Sequence, residues 1–237
     1  MFSIFNTLTT KKVEFIPIYK DDVRIYFCGP TVYNELHIGN YRAALVADLL
    51  SKTLKGIYPK VTFVSNITDI DDKIIKEASK QSCSINELTQ KYYTKFMNDA
   101  DILGISKPDL QPFATDYVDE MIDYIQTLLK NKSAYEINGN VLFEVNKFTN
   151  YGCLSGRCIE EQDSGARVKI EDYKKNPNDF ILWKPSLANE PGWESPWGYG
   201  RPGWHLECSV MSESVLGVPF DIHGGGNDLK FPHHDNE

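Results

Sequence analysis

Two β-rich segments joined by one helix-forming segment constrain the fold of this chain more than any other feature of its sequence. Residues 23–28 have the composition of a short strand, and the Cys-Gly-Pro-Thr run at 28–31 is typical of a turn. Residues 41–50 are rich in good helix formers and predict a mostly buried helix, and residues 61–64 predict a second strand. A strand, a helix and a strand in about 40 residues form a βαβ unit, which implies a parallel sheet with a right-handed crossover.

Further elements are predicted downstream of this unit. An Asn-Gly turn inside residues 135–143 predicts a β-hairpin, and residues 218–223 predict a strand that returns to the sheet. Helices are predicted at 71–80, 85–98, 116–130 and 204–215. The pattern favours a parallel α/β domain interrupted by an insertion from about 115 to 200, where Gly, Pro and Trp accumulate.

Composition and charge restrict the class of protein. The chain has 237 residues, of which 41% are hydrophobic and 24% charged, as in an ordinary soluble globular protein. It contains no apolar run of the roughly 18 residues that a membrane span needs, and its start does not resemble a signal peptide. The net charge of −8 argues against a generally basic surface that coats nucleic acid, although it leaves a local basic patch open.

The cysteines indicate a reducing compartment. Their number is odd, their spacing is irregular and no CxxC is present, the five being Cys28, Cys83, Cys153, Cys158 and Cys208. Without a secretion signal, this usage predicts reduced thiols in a cytoplasmic protein. Cys83, Cys153 and Cys158 are interpreted as structural or surface thiols.

The last seventeen residues have the composition of a functional site. Residues 221–237 contain three of the five histidines, a triple glycine and four carboxylates. Glycines let a ligand approach the backbone closely, and histidines and carboxylates bind metals and move protons. We therefore expect a binding or catalytic site in this segment.

A second candidate site lies where the first predicted helix begins. His37-Ile38-Gly39-Asn40 follows a strand and a turn and opens a helix. A helix N-terminus suits phosphate because it offers unpaired N–H groups and a positive dipole end. Gly39 allows close approach of a flat ligand, and His37 can donate to phosphoryl oxygens. The alternative is that His37 only caps the helix or lies on the surface.

Four blocks of sequence together resemble the cysteinyl-tRNA synthetases, a family of class I aminoacyl-tRNA synthetases. They match in order and with similar spacing over essentially the whole chain, at 28–33, 66–74, 200–209, and 223–226 with 231–237. The resemblance implies a Rossmann-like nucleotide-binding catalytic domain, with its first half at 1–115, a connective insertion at 116–200 and the start of its second half at 201–237. We expect a fragment, because no mobile loop or anticodon-binding domain of the family follows.

The resemblance implies the activity of a ligase. Such an enzyme activates L-cysteine with ATP and Mg²⁺ to cysteinyl-adenylate and transfers the acyl group to tRNA(Cys), and the protein contributes mainly position and electrostatics. We expect a cytoplasmic monomer with no membrane partner. Two alternatives stay open: a related zinc-dependent ligase that transfers cysteine to an amino sugar conjugate in thiol biosynthesis, and a non-catalytic module that binds cysteine or zinc.

Substrate-binding residues are also implied by the resemblance. The catalytic positions are His37, Gly39 and Asn40, and the nucleotide-binding positions are these three with Gly224, Gly225 and Gly226. The amino-acid pocket comprises Gly29, Thr68, Trp204, His223 and Asp228. Asn40 departs from the family's His-Ile-Gly-His signature, since it can donate a hydrogen bond but not a charge. As alternatives, Thr68 and Asp228 are helix N-caps and Trp204 is a core residue.

The zinc ligands that the resemblance implies are Cys28, Cys208, His233 and Glu237. His233 and Glu237 are four residues apart and so share one face of a helix, whereas His234 points about 100° away. Thiolate, imidazole and carboxylate groups suit zinc. From the residues alone, a lone cysteine is most often a buried small hydrophobe, and His205 could share a helical face with Cys208.

Zinc would act here on specificity rather than generate hydroxide. Cysteine and serine differ by one atom, and a pocket that fits shape alone separates near-isosteres by only about 10²-fold. A thiol that coordinates a metal is deprotonated outright, so the cysteine side chain can bind zinc as a thiolate. The hydroxyl of serine is a far poorer metal ligand. Asp69, Asp71 and Asp72 are interpreted as an acidic first helical turn rather than as a Mg²⁺ site, and Mg²⁺ is expected to arrive with ATP.

Overall fold

Two compact units make up the part of the chain that the computed structural model describes, residues 2–157 and 173–237. We call the unit formed by Ile16–Tyr117 and Val210–Gly226 the parallel-sheet unit. The antiparallel-sheet unit comprises Met1–Phe15, Val118–Ser209 and Asn227–Glu237. The assignment of catalytic halves and an insertion stays a prediction, and the interpretation of Cys158 concerns a residue outside the described ones.

The described part of the chain contains both strands and helices. The strands are β1 (Ser3–Asn6), β2 (Lys11–Glu14), β3 (Asp22–Phe27), β4 (Lys60–Ser65), β5 (Ala134–Ile137), β6 (Asn140–Phe143), β7 (Phe180–Pro185), β8 (Gly200–Pro202) and β9 (Ile222–Gly224). The helices are α1 (Ile38–Lys55), α2 (Asp72–Gln81), α3 (Ile85–Ile102), α4 (Val118–Lys130) and α5 (Trp204–Leu216). In the described ranges, no helix is both long enough and apolar enough to cross a membrane.

The predicted βαβ unit is confirmed. β3 is the central strand of a parallel sheet of order β4-β3-β9. It pairs along its length with β4, from Asp22 opposite Lys60 to Phe27 opposite Ser65, and its last three residues pair with β9. The chain leaves β3 through α1 to reach β4 on one side, while β9 lies on the other side. The carboxyl ends of β3 and β9 therefore border a topological switch point, where open α/β sheets bind ligands.

The predicted helices form with local caps. Asp71 caps α2, and its carboxylate accepts a hydrogen bond from the Lys73 backbone N–H at 2.7 Å. Ser84 and Glu87 form a reciprocal capping box at the start of α3. The alternative in which Thr68 is a helix N-cap is therefore wrong. These caps explain why the helices begin within one or two residues of their predicted starts.

The first helix is less buried than its sequence predicts. Four apolar residues on one face of α1 stay exposed, namely Ile38 (79%), Leu45 (47%), Val46 (54%) and Leu49 (63%). The opposite face packs into the unit through Tyr41 and Leu54. The prediction of a mostly buried helix is corrected, because composition alone does not tell how many sides of a helix are covered.

The returning strand is confirmed but shorter than predicted. Only Ile222–Gly224 pairs with β3, and residues 218–221 lie outside the strand. Asp221 instead anchors the chain through its carboxylate, which accepts hydrogen bonds from the backbone N–H groups of Ile18 at 2.6 Å and Arg24 at 2.7 Å. A side chain that bonds to backbone offers an alternative to ladder pairing, which shortens the strand.

The antiparallel-sheet unit is built on a sheet of order β5-β6-β7-β8, against which α4 packs. The predicted hairpin is confirmed as β5 and β6. Its turn residues Asn138 and Gly139 have φ of 52° and 75°, the left-handed pair that a two-residue type I′ turn requires. β1 and β2 form a separate antiparallel pair. The buried Val118, Met121 and Ile125 of α4 and Trp183 of β7 contribute to the core of this unit.

Candidate active site

The turn after β3 brings Cys28 and Gly29 to the carboxyl edge of the parallel sheet. The Cys28 backbone N–H donates to the carbonyl of Gly224 at 3.1 Å. The Gly29 N–H donates to the side-chain oxygen of Asn66 at 2.8 Å. A Cβ on Gly29 would lie 1.6 Å from the Asn66 carbonyl oxygen, so only glycine fits at this position. The close approach of the Asn66 backbone thus explains why the predicted pocket residue at position 29 is a glycine.

Asn66 connects two of the predicted pocket residues. Besides its bond to Gly29, its amide donates to the Thr68 hydroxyl at 3.4 Å. Thr68 is buried and bonds through its backbone to Pro30 and Val32. The sequence alone assigns no role to Asn66, although it lies in the 66–74 block. An asparagine two residues after a predicted buried strand is the signal that could have identified it.

His223 lies beside Cys28 at the same edge. Its Nε2 is 3.7 Å from the Cys28 Sγ, and its ring stacks on Tyr26 with centroids 5.5 Å apart. The imidazole is otherwise exposed, so a ligand can reach it. Gly224 follows, and a Cβ there would lie 2.3 Å from the Phe27 ring. Gly224 therefore permits packing inside the sheet, and Gly225 and Gly226 continue as irregular backbone beyond β9.

The N-terminus of α1 is held by a reciprocal pair of hydrogen bonds. His37 is the N-cap, and its Nδ1 accepts from the Gly39 backbone N–H at 3.0 Å. The Asn40 side-chain oxygen accepts from the His37 backbone N–H at 3.1 Å. A Cβ on Gly39 would lie 2.8 Å from the His37 ring. The capping alternative for His37 is therefore realised.

This cap also determines which hydrogen-bond donors face away from the helix. Because Nδ1 of His37 acts as an acceptor, the ring proton of the neutral form sits on Nε2. Because the oxygen of Asn40 is used by the cap, its amide nitrogen supplies the remaining donors. Two side-chain donors thus accompany the positive end of the α1 dipole, an arrangement that suits an anion.

Three of the four predicted metal ligands meet within the antiparallel-sheet unit. Donor atoms of Cys208, His233 and Glu237 lie within 4.8 Å of one another. His233 Nε2 is 2.7 Å from a Glu237 oxygen and 3.9 Å from the Cys208 Sγ. The Glu237 backbone N–H donates to the His233 carbonyl at 3.1 Å, which is the helical turn that the four-residue spacing predicts. A thiol, an imidazole and a carboxylate at these distances fit a zinc ion.

Three further side chains surround this cluster. Trp204 stacks on His233 with ring centroids 4.0 Å apart. His205 Nδ1 lies 2.9 Å from His233 Nδ1, and burial, reinforced by the neighbouring His233, lowers the pKa of His205 to about 3. His205 is thus neutral and contacts His233. His234 contacts the second Glu237 oxygen at 3.0 Å, so both histidines of the His-His pair approach this carboxylate.

The structure assigns the predicted pocket residues to different units. Gly29, Thr68 and His223 belong to the parallel-sheet unit, as does Cys28, whereas Trp204 and Asp228 belong to the antiparallel-sheet unit. Asp228 is exposed inside the 3₁₀ turn Asn227–Leu229, not at the N-cap of a helix. Its carboxylate is thus accessible from solvent.

The acidic run at the start of α2 has structural contacts. One Asp69 carboxylate oxygen accepts from the Thr115 backbone N–H at 3.0 Å, and the other lies 2.6 Å from the Thr115 hydroxyl. Asp71 caps α2. Burial raises the pKa of Asp69, an effect that the hydrogen bonds to Thr115 partly offset. Asp71 and Asp72 therefore serve the start of α2, as interpreted. The interpretation is wrong for Asp69, which lies before the helix and whose carboxylate instead holds Thr115.

The fold is that of solved aminoacyl-tRNA synthetases. One is methionyl-tRNA synthetase of Mycobacterium tuberculosis, solved in complex with methionyl-adenylate. The match extends over 88% of this chain and 52% of that chain, with a TM-score of 0.59 and 11% sequence identity. Another is a putative arginyl-tRNA synthetase from Campylobacter jejuni. The match extends over 91% of this chain and 50% of that chain, with a TM-score of 0.50 and 13% sequence identity. The predicted Rossmann-like α/β fold is confirmed.

The chain belongs to the family described as the tRNA synthetases class I (C) catalytic domain, which matches residues 14–237. It is 52% identical over 98% of its length to a protein of Pelagibacter ubique named cysteine–tRNA ligase, and 51% identical over 99% to one of Parvibaculum lavamentivorans with the same name. It covers 52% and 50% of these two proteins, respectively. The chain therefore spans about half the length of the curated relatives that it matches.

Proposed function

We propose that this chain carries the cysteine-activating part of a cysteine–tRNA ligase. The observation that carries the proposal is the identity of 51–52% over 98–99% of the chain to proteins of that name. The proposed reaction is attack of the L-cysteine carboxylate on the α-phosphate of ATP, which forms cysteinyl-adenylate and releases pyrophosphate. Transfer of the cysteinyl group to tRNA(Cys) follows.

Zinc is the proposed resident metal, held by Cys28, Cys208, His233 and Glu237. The thiol, imidazole and carboxylate gathered at Cys208, His233 and Glu237 support three of these ligands. Cys28 is proposed as the fourth from the sequence resemblance. When bound, the metal would favour a substrate thiolate over a hydroxyl, which separates cysteine from serine.

ATP is proposed to bind with Mg²⁺ at the start of α1 and along Gly224, Gly225 and Gly226. The His37 Nε2–H and the Asn40 amide are directed by the cap to donate, and donors aimed at developing phosphoryl charge lower a barrier without reorganising. Gly39 leaves the approach free of a side chain. His37, Gly39 and Asn40 thus act by position and electrostatics rather than by covalent chemistry.

The amino-acid pocket is proposed to comprise Gly29, Thr68, Trp204, His223 and Asp228. The exposed Asp228 carboxylate has the charge to hold the substrate ammonium group. Trp204 has the bulk to exclude larger side chains, and its stack on His233 gives it a defined place beside a metal ligand. The enzyme is proposed to work in the cytoplasm as a monomer.

Cysteine-dependent ATP–pyrophosphate exchange tests the proposal. We expect exchange with L-cysteine that is at least 10²-fold faster than with L-serine, and loss of exchange in a Cys208→Ser variant. A Cys83→Ser variant is the matched control and should retain exchange. Cysteine and zinc binding without exchange, also when the chain is joined to the remaining half of a relative, would show a non-catalytic module. Transfer to an amino sugar and not to tRNA(Cys) would show the related ligase.

A further inference from the structure

The loop 150–157 contacts the segment that carries two of the proposed zinc ligands. The Tyr151 hydroxyl donates to the side-chain oxygen of Asn236 at 2.5 Å, one residue before Glu237. The Tyr151 ring also meets Phe231 edge to face, with centroids 6.4 Å apart. The Arg157 guanidinium lies 4.6 Å from the centroid of the same Phe231 ring. All of these residues belong to the antiparallel-sheet unit.

The conformation of the loop allows Tyr151 and Arg157 to contact the segment at the same time. The Arg157 N–H donates to the Gly152 carbonyl at 3.0 Å, and the Ser155 hydroxyl donates to the same oxygen at 3.2 Å. Gly152 has φ of 83°, and a Cβ there would lie 2.2 Å from the Arg157 carbonyl oxygen. Only glycine therefore permits the closure that returns Arg157 to Phe231.

Helical geometry is interrupted at the start of the contacted segment. Phe231 has φ of −131° and ψ of 133°, an extended conformation expected before Pro232. The helical turn from His233 to Glu237 is consequently not a continuation of a longer helix. Tyr151 is 6% exposed, and burial raises its pKa, so it stays a neutral hydrogen-bond donor.

We propose that Tyr151, Gly152 and Arg157 form a clamp that positions the His233–Glu237 turn and thereby sets the affinity of the zinc site. This inference rests on the proposed function because it concerns zinc. Tyr151 is a positioning residue, since it acts through Asn236 and Phe231 and not on the metal. Residues that orient metal ligands from outside the ligand set typically change metal affinity about 10- to 100-fold when they are replaced.

Two readouts test the clamp, one with metal and one without it. Zinc affinity, measured by competition with a chromophoric chelator, should fall about tenfold or more in Tyr151→Phe. In the metal-free protein, hydrogen exchange at the Glu237 amide, which bonds to the His233 carbonyl, should become faster. Tyr135→Phe is the matched control, because it removes another buried tyrosine hydroxyl of the same unit, bonded to Asp179. It should lower Tm and leave both readouts unchanged.

Each outcome of this experiment decides a separate claim. Unchanged exchange in Tyr151→Phe would overturn the clamp. Faster exchange with unchanged zinc affinity would overturn its link to the metal. If the unsubstituted protein binds no zinc, the zinc assignment of the proposed function fails, and so does the link between the clamp and the metal. Hydrogen exchange at the Glu237 amide then still decides whether Tyr151 positions the turn. Equal losses of zinc affinity in Tyr151→Phe and Tyr135→Phe would reduce the effect to general destabilisation.

Discussion

The imidazole of His233 lies flat against the indole of Trp204, with ring centroids 4.0 Å apart and planes 11° from parallel. His233 is 1% exposed, and its Nε2 faces Glu237 at 2.7 Å. The indole therefore supports one side of a ring whose nitrogen is a proposed zinc ligand. This contact links the residue proposed to wall the cysteine pocket with the residue proposed to hold the metal.

Removal of this stack should weaken metal binding. An aromatic pair contributes about 0.5–1.5 kcal/mol beyond its buried area, so Trp204→Ala should reduce zinc affinity about two- to tenfold. Trp197→Ala is the control, since Trp197 packs on Trp183 in the same unit. Chelator competition measures both variants, and equal effects would show that the stack on His233 has no special role.

Two substitutions at Asn40 separate its role in capping α1 from its proposed role in catalysis. Asn40→Ala removes both the cap oxygen and the amide donors, so helix stability should fall by about 1 kcal/mol and the activation rate by about 10²-fold or more, with a smaller change in ATP affinity. Asn40→Asp keeps an oxygen for the His37 N–H but has no donor, and its charge also repels phosphate. It should retain stability and lose rate.

Urea unfolding and pre-steady-state adenylate formation provide the measurements for these two variants. The account is contradicted at this position if Asn40→Ala activates cysteine at the unsubstituted rate. A rate loss in Asn40→Ala that Asn40→Asp fully restores would show that the cap, and not the donor, accounts for the effect.

Asp69 should make the fold less stable as pH rises. Burial raises its pKa above the ordinary value of 3.8, so the folded chain retains a proton that the unfolded chain has lost. Between the unfolded and the folded pKa, stability therefore decreases with increasing pH, by at most about 1.4 kcal/mol per pH unit. The stability of the unsubstituted protein relative to Asp69→Asn, which keeps a Thr115 contact without titrating, should show this decrease in urea unfolding from pH 3.5 upward. Identical pH profiles would refute this assignment.

The fold around β3 was predictable because its signals are local. Strand composition, the Cys-Gly-Pro-Thr turn and the helix formers of α1 lie in consecutive segments, and the Asn138-Gly139 pair specifies a type I′ turn by itself. The spacing of His233 and Glu237 likewise predicts a shared turn. The exposed face of α1 was not predictable, since a helix with apolar residues on every side gives no sign of which side is covered.

Contacts between distant residues carried no such signal. Tyr151 bonds to Asn236, 85 positions away, and Tyr135 bonds to Asp179, 44 positions away. Asn66 was inside a recognised block, yet its position between Gly29 and Thr68 depends on how β3 and β4 pair. Side-chain hydrogen bonds of this kind follow from tertiary packing and not from periodicity.

Asp179 is expected to be a main support of the antiparallel-sheet unit. It is 1% exposed, and its carboxylate accepts from the Tyr135 hydroxyl at 2.8 Å, the Val145 N–H at 3.0 Å and the Asn176 N–H at 3.1 Å. Asp179→Ala leaves buried donors without an acceptor and should cost about 3 kcal/mol. The exposed Asp123→Ala in α4 is the control and should cost under about 0.5 kcal/mol. Equal midpoints of urea unfolding for both variants would contradict this role.

The central claim is that a thiolate-bearing metal site selects cysteine. The most direct measurement is the visible spectrum of the cobalt-substituted protein during titration with L-cysteine and then L-serine, with Cys28→Ser and Cys208→Ser as variants. We predict a thiolate-to-cobalt band that intensifies with L-cysteine alone and is weakened in both variants. A cobalt spectrum that L-cysteine leaves unchanged, or that L-serine changes equally, would contradict the account.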